Sequence, residues 1–160
     1  MPTLQGQLLV APLQERDLNY LGTVILVIQH SEEQAVGVTL NRPTTTTIRQ
    51  VWRGKGRCLR DECVYSGGPV SGPLVVLHTD ASLGEVEVFK DTYYSLQDAN
   101  LERLVRHPNH PFKMFQSHIG WGPGGLERFV TRGPWTVLPA TMEHVFHAGP
   151  GLWEALCRQD

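Results

Sequence analysis

The fold of this chain is best predicted from residues 21–40, LGTVILVIQHSEEQAVGVTL. Two apolar stretches rich in β-branched residues flank a short polar turn at residues 31–34. The unbroken apolar run at residues 24–28 is typical of a strand that is buried on both faces. Because the polar turn joins two such stretches, we predict an antiparallel hairpin with strands at residues 21–29 and 35–40.

Shorter apolar runs on both sides of the hairpin predict further strands. Glycine and proline turns at residues 67–69 and 72–73 are expected to separate several of them. These strands lie at residues 7–11, 63–66, 74–78, 86–90, 112–121 and 135–138.

Helical patterns lie between and after these strands. A threonine within residues 44–46 is expected to cap the first helix, and Ser95 the second. Since strands outnumber helices and short turns join most of them, we predict an α+β fold with a mostly antiparallel sheet and helices packed outside it. The predicted helices span residues 44–52, 95–106, 123–132, 141–147 and 152–157.

Length and composition predict an ordinary globular protein. The chain has 160 residues, 41% of them hydrophobic and 19% charged, which favours a single domain over residues 1–160. Three cysteines without regular spacing are not typical of a secreted disulfide framework. The first residues do not resemble a secretion signal, and no apolar run is long enough for a bilayer. We therefore expect a cytoplasmic protein with no membrane association.

The charge balance does not favour a nucleic-acid-binding protein. The formal net charge is −2, whereas such proteins usually carry a basic face. Residues 49–60 are locally basic, and we expect them to form a solvated loop that gives weak, salt-sensitive DNA binding at most. This stretch contains Arg49, Arg53, Lys55, Arg57 and Arg60.

Several segments, taken in order, resemble the AlgH/YqgE family. The most specific is Gly-Trp-Gly-Pro-Gly-Gly-Leu-Glu at residues 120–127, although the family usually has Gly-Tyr-Ala before it and glutamine in place of Gly125. The other segments are residues 6–12, 17–30, 35–43 and 67–70, together with Trp135, Phe146 and Trp153.

This resemblance implies a bent sheet that forms an incomplete barrel with flanking helices. The resemblance also carries the family's label of candidate transcriptional regulator. We expect any effect on transcription to be indirect. No reaction, cofactor or ligand is implied by it.

The glycine turn after Trp121 is a candidate anion site. Amides at a helix start beside a flexible glycine turn can hold an anion, with Trp121 as a wall. The alternative is a tight structural turn in which glycine permits positive φ. The residues concerned are Trp121, Gly122, Gly124 and Gly125.

Two further turns carry candidate binding residues. Arg42, between Asn41 and Pro43, can present a planar fork to a carboxylate or phosphate, although an asparagine turn followed by a solvated arginine is the alternative. Gly67, Gly68 and Pro69 are most simply a structural turn. We predict that these two turns and the Trp121 segment converge on one surface region, because binding residues tend to lie on loops over a rigid sheet.

The sequence contains no recognisable catalytic motif. A Gly-x-Ser-x-Gly elbow is missing, the glycine spacing does not match a nucleotide-binding loop, and the histidines and cysteines lack the spacing of a zinc site. We therefore expect no catalytic residues, metal or cofactor. The leading hypothesis is a non-enzymatic regulatory protein that binds a small anionic ligand or a protein partner. The alternatives are an enzyme with a site near Asn41, Arg42 and Trp121, and direct DNA binding through residues 49–60.

Overall fold

A computed structural model describes residues 3–54, 58–107 and 110–157 of the chain. Its strands pair in one extended antiparallel system, with a single parallel contact between β5 and β9. The strands are β1 (Gln7–Val10), β2 (Val24–His30), β3 (Ala35–Thr39), β4 (Pro43–Thr47), β5 (Cys63–Tyr65), β6 (Val70–His78), β7 (Val86–Phe89), β8 (Thr92–Ser95), β9 (Phe112–Trp121) and β10 (Thr136–Pro139).

Short helices flank the sheet. Besides four α-helices there is a π-helix at Glu143–His147 and a 3₁₀ turn at Gly149–Gly151. None of the helices in the described residues is both long and apolar enough to cross a membrane. The α-helices are α1 (Ile48–Val51), α2 (Asp98–Leu104), α3 (Gly125–Arg132) and α4 (Leu152–Cys157).

The main sheet has the strand order β10-β1-β2-β3-β9-β6-β8-β7, and the β4–β5 pair joins it through β9. The sheet is curled into a half-barrel, which confirms the predicted α+β fold and incomplete barrel. The predicted hairpin is β2 and β3, which pair antiparallel with a register shift between Val27 and Gln29.

Three apolar clusters hold the curled sheet and its helices together. One fills the inside of the curl, a second lies beneath α3, and a third lies beneath α1 and α2. Strand β2 supplies two of them, because Leu26 points into the central cluster whereas Ile25 and Val27 lie beneath α3. Burial on both faces explains the unbroken apolar run of this strand.

The predicted helix over residues 44–52 is wrong for its first half. Pro43–Thr47 is strand β4, and only Ile48–Val51 is helical. Its four threonines are β-branched, and pairing with β5 favours the extended state. The cap is therefore Thr47, whose hydroxyl accepts from the Gln50 amide while the Gln50 side chain accepts from the Thr47 amide.

Ser95 does not cap α2, because it is the last residue of strand β8, which the sequence pattern did not reveal. Its hydroxyl donates to the Leu83 carbonyl at 2.6 Å. Among the residues that the structure describes, no side chain caps α2; the carboxylate of Glu85 instead holds the residues just before the helix, since it accepts from the amides of Leu96 and Gln97. A contact with a neighbouring loop thus fixes the start of the helix in place of the expected local cap.

Two other turn predictions need correction. The turn predicted at residues 72–73 lies within β6, where the pairing register with β9 shifts between Ser71 and Val75. Arg60, expected in a solvated basic loop, is only 4% exposed, because its guanidinium binds backbone carbonyls of a distant segment. Residues 55–57 of that predicted loop lie outside the described residues.

Candidate ligand-binding site

The glycine turn after β9 folds α3 back over the end of that strand. Gly124 has φ of 69° and precedes α3 without a side-chain cap, and the Gly125 amide donates to the Gly122 carbonyl at 2.9 Å. A Cβ at Gly125 would lie 3.3 Å from the Cβ of Trp121. The small residues therefore let α3 pack closely on Trp121.

A cleft of about 500 Å³ opens between α3 and the loop that precedes β2. Its floor consists of four aromatic side chains, with Phe129 at the centre. The Phe129 ring centroid lies 4.9 Å from that of Trp135, 5.0 Å from that of Tyr20 and 5.4 Å from that of Trp121. Tilted and edge-on packing of this kind stabilises each ring pair by about 1 kcal/mol beyond burial. We call this feature the Trp121 cleft.

Trp121 is held on its other side by the backbone of β3. A Cβ at Gly37 would lie 3.1 Å from two atoms of the Trp121 ring and 2.9 Å from Ile25. Gly37 therefore leaves the space that the indole occupies. The aromatic floor is thus fixed by a strand beneath it as well as by α3.

The two walls of the Trp121 cleft carry opposite charges. Arg128 and Arg132 line it from α3, one helical turn apart, and Glu15 and Asp17 line it from the opposite loop. The carboxylates are engaged locally, because Glu15 accepts from the Arg16 amide at 3.0 Å and Asp17 from the Asn19 amide at 2.9 Å. The two arginines are exposed and lie within reach of a ligand.

Tyr20 supplies a neutral hydrogen-bond donor to the cleft. Burial raises the pKa of its phenol, and the negative charges of Asp17 and Glu15 raise that pKa further. The phenol therefore keeps its proton at neutral pH.

Asn41 and Arg42 hold the loop that forms one wall of the cleft. The Asn41 side chain accepts from the Val24 amide at 3.0 Å and donates to the Gly22 carbonyl at 2.9 Å. The Arg42 guanidinium donates to three loop carbonyls at 2.9–3.0 Å, which belong to Leu18, Asn19 and Leu21. Their polar groups thus position the loop that carries Tyr20.

The turn at Gly67, Gly68 and Pro69 lies against the backbone of β9. The Gly67 carbonyl accepts from the Thr39 amide at 2.8 Å. A Cβ at Gly68 would meet the His118 backbone, so glycine permits a close crossing of two chain segments. Pro69 is exposed beside it.

The structure brings some of the predicted segments together. The Arg42 carbonyl accepts from the Ser66 amide at 2.9 Å, so residues 41–43 adjoin residues 67–69. Of the predicted site residues, Trp121 and Gly125 line the Trp121 cleft, and Gly122 and Gly124 belong to the turn beside it. Arg42 is linked to the cleft through the loop that it holds. A single binding region for all three segments stays a prediction.

Several cleft residues were missed by the sequence analysis. Arg128 and Arg132 could have been found from their spacing of four on a predicted helix, which places them on one face. Tyr20 lies far from Trp121 in sequence, and no local pattern joins the two.

No group of three or more histidine, cysteine, aspartate or glutamate side chains within residues 3–54, 58–107 and 110–157 is placed to hold a metal ion. The expectation that the protein needs no metal stays a prediction.

Comparison with known proteins places the chain in a family. The sequence profile of the AlgH-like family matches residues 8–159, and the chain belongs to that family. A UPF0301 protein of Myxococcus xanthus is 32% identical, with 99% of this chain and 91% of that protein covered. A UPF0301 protein of Rhizobium meliloti is 33% identical, with 89% of this chain and 79% of that protein covered.

Two solved structures share the fold. An X-ray structure of a Corynebacterium diphtheriae protein has a TM-score of 0.81 at 24% identity, over 100% of this chain and 88% of that one. The solution structure of AlgH from Pseudomonas aeruginosa has a TM-score of 0.79 at 22% identity, over 98% of this chain and 88% of that one. The names of these relatives state no reaction and no ligand.

Proposed function

We propose that this member of the AlgH-like family is a ligand-binding regulatory protein whose Trp121 cleft holds a small planar anion, such as an aromatic carboxylate. The observation that carries this proposal is the floor of four packed aromatic rings beside two arginines one helical turn apart.

The size and floor of the cleft suit a planar ligand. Its volume of about 500 Å³ falls within the range of roughly 300–1,000 Å³ that small-molecule pockets occupy. Trp121 and Phe129 are only partly buried, so they can pack against an added ring.

The charges favour a single anionic group at the α3 side. Guanidinium forks bind carboxylates with paired hydrogen bonds, and the amino-terminal end of α3 at Gly125 adds a weak positive potential. Glu15 and Asp17 on the other wall disfavour a second negative charge there. The ligand is therefore a monoanion with its ring on the floor and its charge toward Arg128 and Arg132.

The lining favours binding over catalysis. Among the described residues that line the Trp121 cleft there is no serine, cysteine, histidine or lysine, and the carboxylates of Glu15 and Asp17 already accept from backbone amides. Asn41 and Arg42, which the enzyme hypothesis would use, are engaged with backbone groups. Both observations support a non-enzymatic role.

A protein partner is the second candidate for the same region. Leu13 and Leu18, on the loop that forms one cleft wall, are 76% and 82% exposed. Large exposed aliphatic side chains beside a cleft suit a docked protein segment. A ligand in the cleft would then alter this surface, which is how the protein would act on transcription indirectly.

Direct DNA binding stays the weaker hypothesis. The proposed location of the protein is the cytoplasm. Two basic side chains of the 49–60 stretch are already paired, Arg49 with Asp61 at 3.0 Å and Arg60 with Glu62 at 2.7 Å. Together with the net charge of −2, this leaves little attraction for phosphate.

The ligand proposal can be tested with indole-3-acetate and its neutral isostere indole-3-acetamide. Calorimetric titration should show that the wild type prefers the carboxylate. The double variant Arg128→Gln/Arg132→Gln should bind it at least about tenfold more weakly, because charge-assisted hydrogen bonds are lost.

Arg103→Gln is the matched control, because Arg103 is an exposed arginine on α2, away from the cleft. Equal binding of acid and amide, or equal losses in the double variant and the control, would contradict the proposal.

A further inference from the structure

A second cavity, of about 310 Å³, shares no lining residue with the Trp121 cleft among the residues that the structure describes. It lies between β5, the start of β9 and the π-helix, and Arg60 forms part of its wall. We call it the Arg60 cavity.

Arg60 is a buried cation whose N–H groups are only partly paired within the described residues. Its Nη1 donates to Glu62 at 2.7 Å, and its Nη2 donates to the carbonyls of His107 at 2.7 Å and His110 at 2.8 Å. The Nε–H is buried and has no partner within the described residues. An unpaired buried donor costs about 1–3 kcal/mol, so an acceptor that reached the Arg60 guanidinium would be bound favourably.

Lys113 adds a second buried cation to the wall. Its Nζ donates to the carbonyls of Val145 at 2.8 Å and Leu40 at 3.0 Å and lies 4.3 Å from the centroid of the Tyr65 ring. Across residues 3–54, 58–107 and 110–157, no carboxylate forms an ion pair with it. A buried ammonium is costly without a compensating charge.

Burial lowers the pKa of Lys113 to about 8, against a small opposing effect of Cys63. The side chain is therefore still mostly charged at neutral pH. With Arg60 and Lys113 against the single carboxylate of Glu62, these three groups carry a net positive charge.

Part of the remaining wall is apolar. Phe112 and Met114 from β9, Phe146 from the π-helix and Ile48 from α1 form this part, and polar side chains such as Tyr65, His110 and His147 complete the lining. The Phe112 ring lies 4.3 Å below the Arg60 guanidinium, so the apolar surface begins directly beside the cation. Such a cavity suits a ligand with a charged head and a short hydrocarbon tail.

We propose that the Arg60 cavity binds a short-chain carboxylate, whose oxygens accept from Arg60 and whose alkyl chain packs on Phe112 and Phe146. This site goes beyond the ligand proposed for the Trp121 cleft and does not depend on it. The same domain would then bind two chemically different ligands at separate sites.

Butyrate and its neutral isostere butyramide test the proposal on the whole protein by ¹⁵N-resolved NMR titration. Butyrate should cause saturable shifts centred on the amides of Tyr65, Phe112, Lys113 and Phe146, and butyramide should not. No saturable shift, equal shifts with both compounds, or shifts centred on the Trp121 cleft would overturn it.

Two substitutions around Arg60 sharpen the test. Arg60→Gln should weaken butyrate binding by about tenfold or more. Glu62→Gln should strengthen binding several-fold, because it removes the carboxylate that competes for Arg60. The Glu62 side chain is 47% exposed, so this variant should fold even if Arg60→Gln does not.

Asp61→Asn is the matched control, since Asp61 is 78% exposed and pairs with Arg49 on the surface. Its butyrate affinity should equal that of the wild type. Equal affinities of the Glu62→Gln and Asp61→Asn variants would overturn the role of Arg60.

Discussion

The Trp121 cleft and the Arg60 cavity place their arginines in opposite environments. Arg128 is exposed on α3, and the hydrogen bond from its guanidinium to the Pro123 carbonyl is long at 3.3 Å. Arg60 is 4% exposed and holds two distant carbonyls and a carboxylate. Water solvates the first cation before and after folding, whereas folding strips water from the second.

This difference separates affinity from stability. An exposed arginine can be removed with little effect on folding, so a loss of binding reports on the ligand directly. A buried arginine is part of the folded framework, and its removal affects both properties. The two regions therefore need different experiments, and stability measurements can check the contrast itself.

The largest expected effect is that of Arg60→Ala, compared with Arg128→Ala. The first should lower the free energy of unfolding by about 4 kcal/mol, because Glu62 and the carbonyls of His107 and His110 lose a donor that lies in a buried position. The second should change it by no more than about 0.5 kcal/mol. Urea denaturation measures the free energy of unfolding of both variants. Similar losses in the two would contradict the contrast between the buried and the exposed arginine.

Phe129→Ala tests how much the packed aromatic floor of the Trp121 cleft contributes to the stability of the protein. We expect the free energy of unfolding to fall by about 3 kcal/mol, since the ring contacts three other aromatic side chains. Phe129→Leu, which keeps much of the volume, should cost only about 1 kcal/mol. Thermal unfolding measures both losses. A loss of about 1 kcal/mol or less in Phe129→Ala as well would mean that ring packing contributes little.

Lys113 gives the Arg60 cavity a pH dependence that the exposed cleft arginines cannot have. Its pKa is about 8 in the folded protein, against an ordinary value of 10.5. Between these values the unfolded chain binds more protons, so stability should rise with pH. The rise should be about 2 kcal/mol from pH 8 to 10, and nothing from this group is expected below pH 7.

Lys113→Met should remove this rise, whereas Lys90→Met, at an exposed turn lysine, should retain it. Urea denaturation at several pH values up to 10 provides the measurement. The range stops there because burial raises the pKa of the Tyr65 and Tyr94 phenols, and such groups reduce stability when they ionise above pH 10. Parallel pH profiles for the two variants would contradict the role of Lys113.

Sequence patterns predicted those elements that carry a clear local signal. Strand β2 has a long apolar run, β3 follows it after a polar turn, and apolar residues recur along β9, so these strands were found close to their true bounds. Strand β8 pairs with its neighbour β7 across a tight turn, but the sequence pattern did not reveal it, and its last residue, Ser95, was assigned to a helix start. Strand β4 depends on β5, a partner distant in sequence, and was predicted as helix. Burial of Arg60 likewise depends on carbonyls near residue 110, so the charged sequence around it indicated a solvated loop.

The candidate site was predictable only where the sequence itself indicates a turn. Trp121 and Gly125 were found because glycine and proline cluster there. Tyr20 and Phe129 were missed, since each looks like an ordinary core residue until the chain folds. Arg42 was found as a binding residue from its planar fork, but its fork is used on the backbone of a loop.

Arg42 gives the smallest expected effect and tests how the Trp121 cleft keeps its shape. Arg42→Lys retains the positive charge, but a lysine ammonium lacks the planar guanidinium that donates to three carbonyls at once. We expect a stability loss of only about 1 kcal/mol, because the hydrogen bonds are partly exposed. Hydrogen exchange of the Tyr20 and Leu21 amides, which donate to the Asp17 carbonyl, should nevertheless become faster.

Arg49→Lys is the control for this substitution, since Arg49 is a surface arginine paired with Asp61. It should leave exchange in the loop unchanged. If Arg42→Lys left loop exchange unchanged but weakened indole-3-acetate binding, Arg42 would contact the ligand itself. Faster exchange together with weaker binding would instead mean that Arg42 acts through the loop, as its three carbonyl contacts indicate.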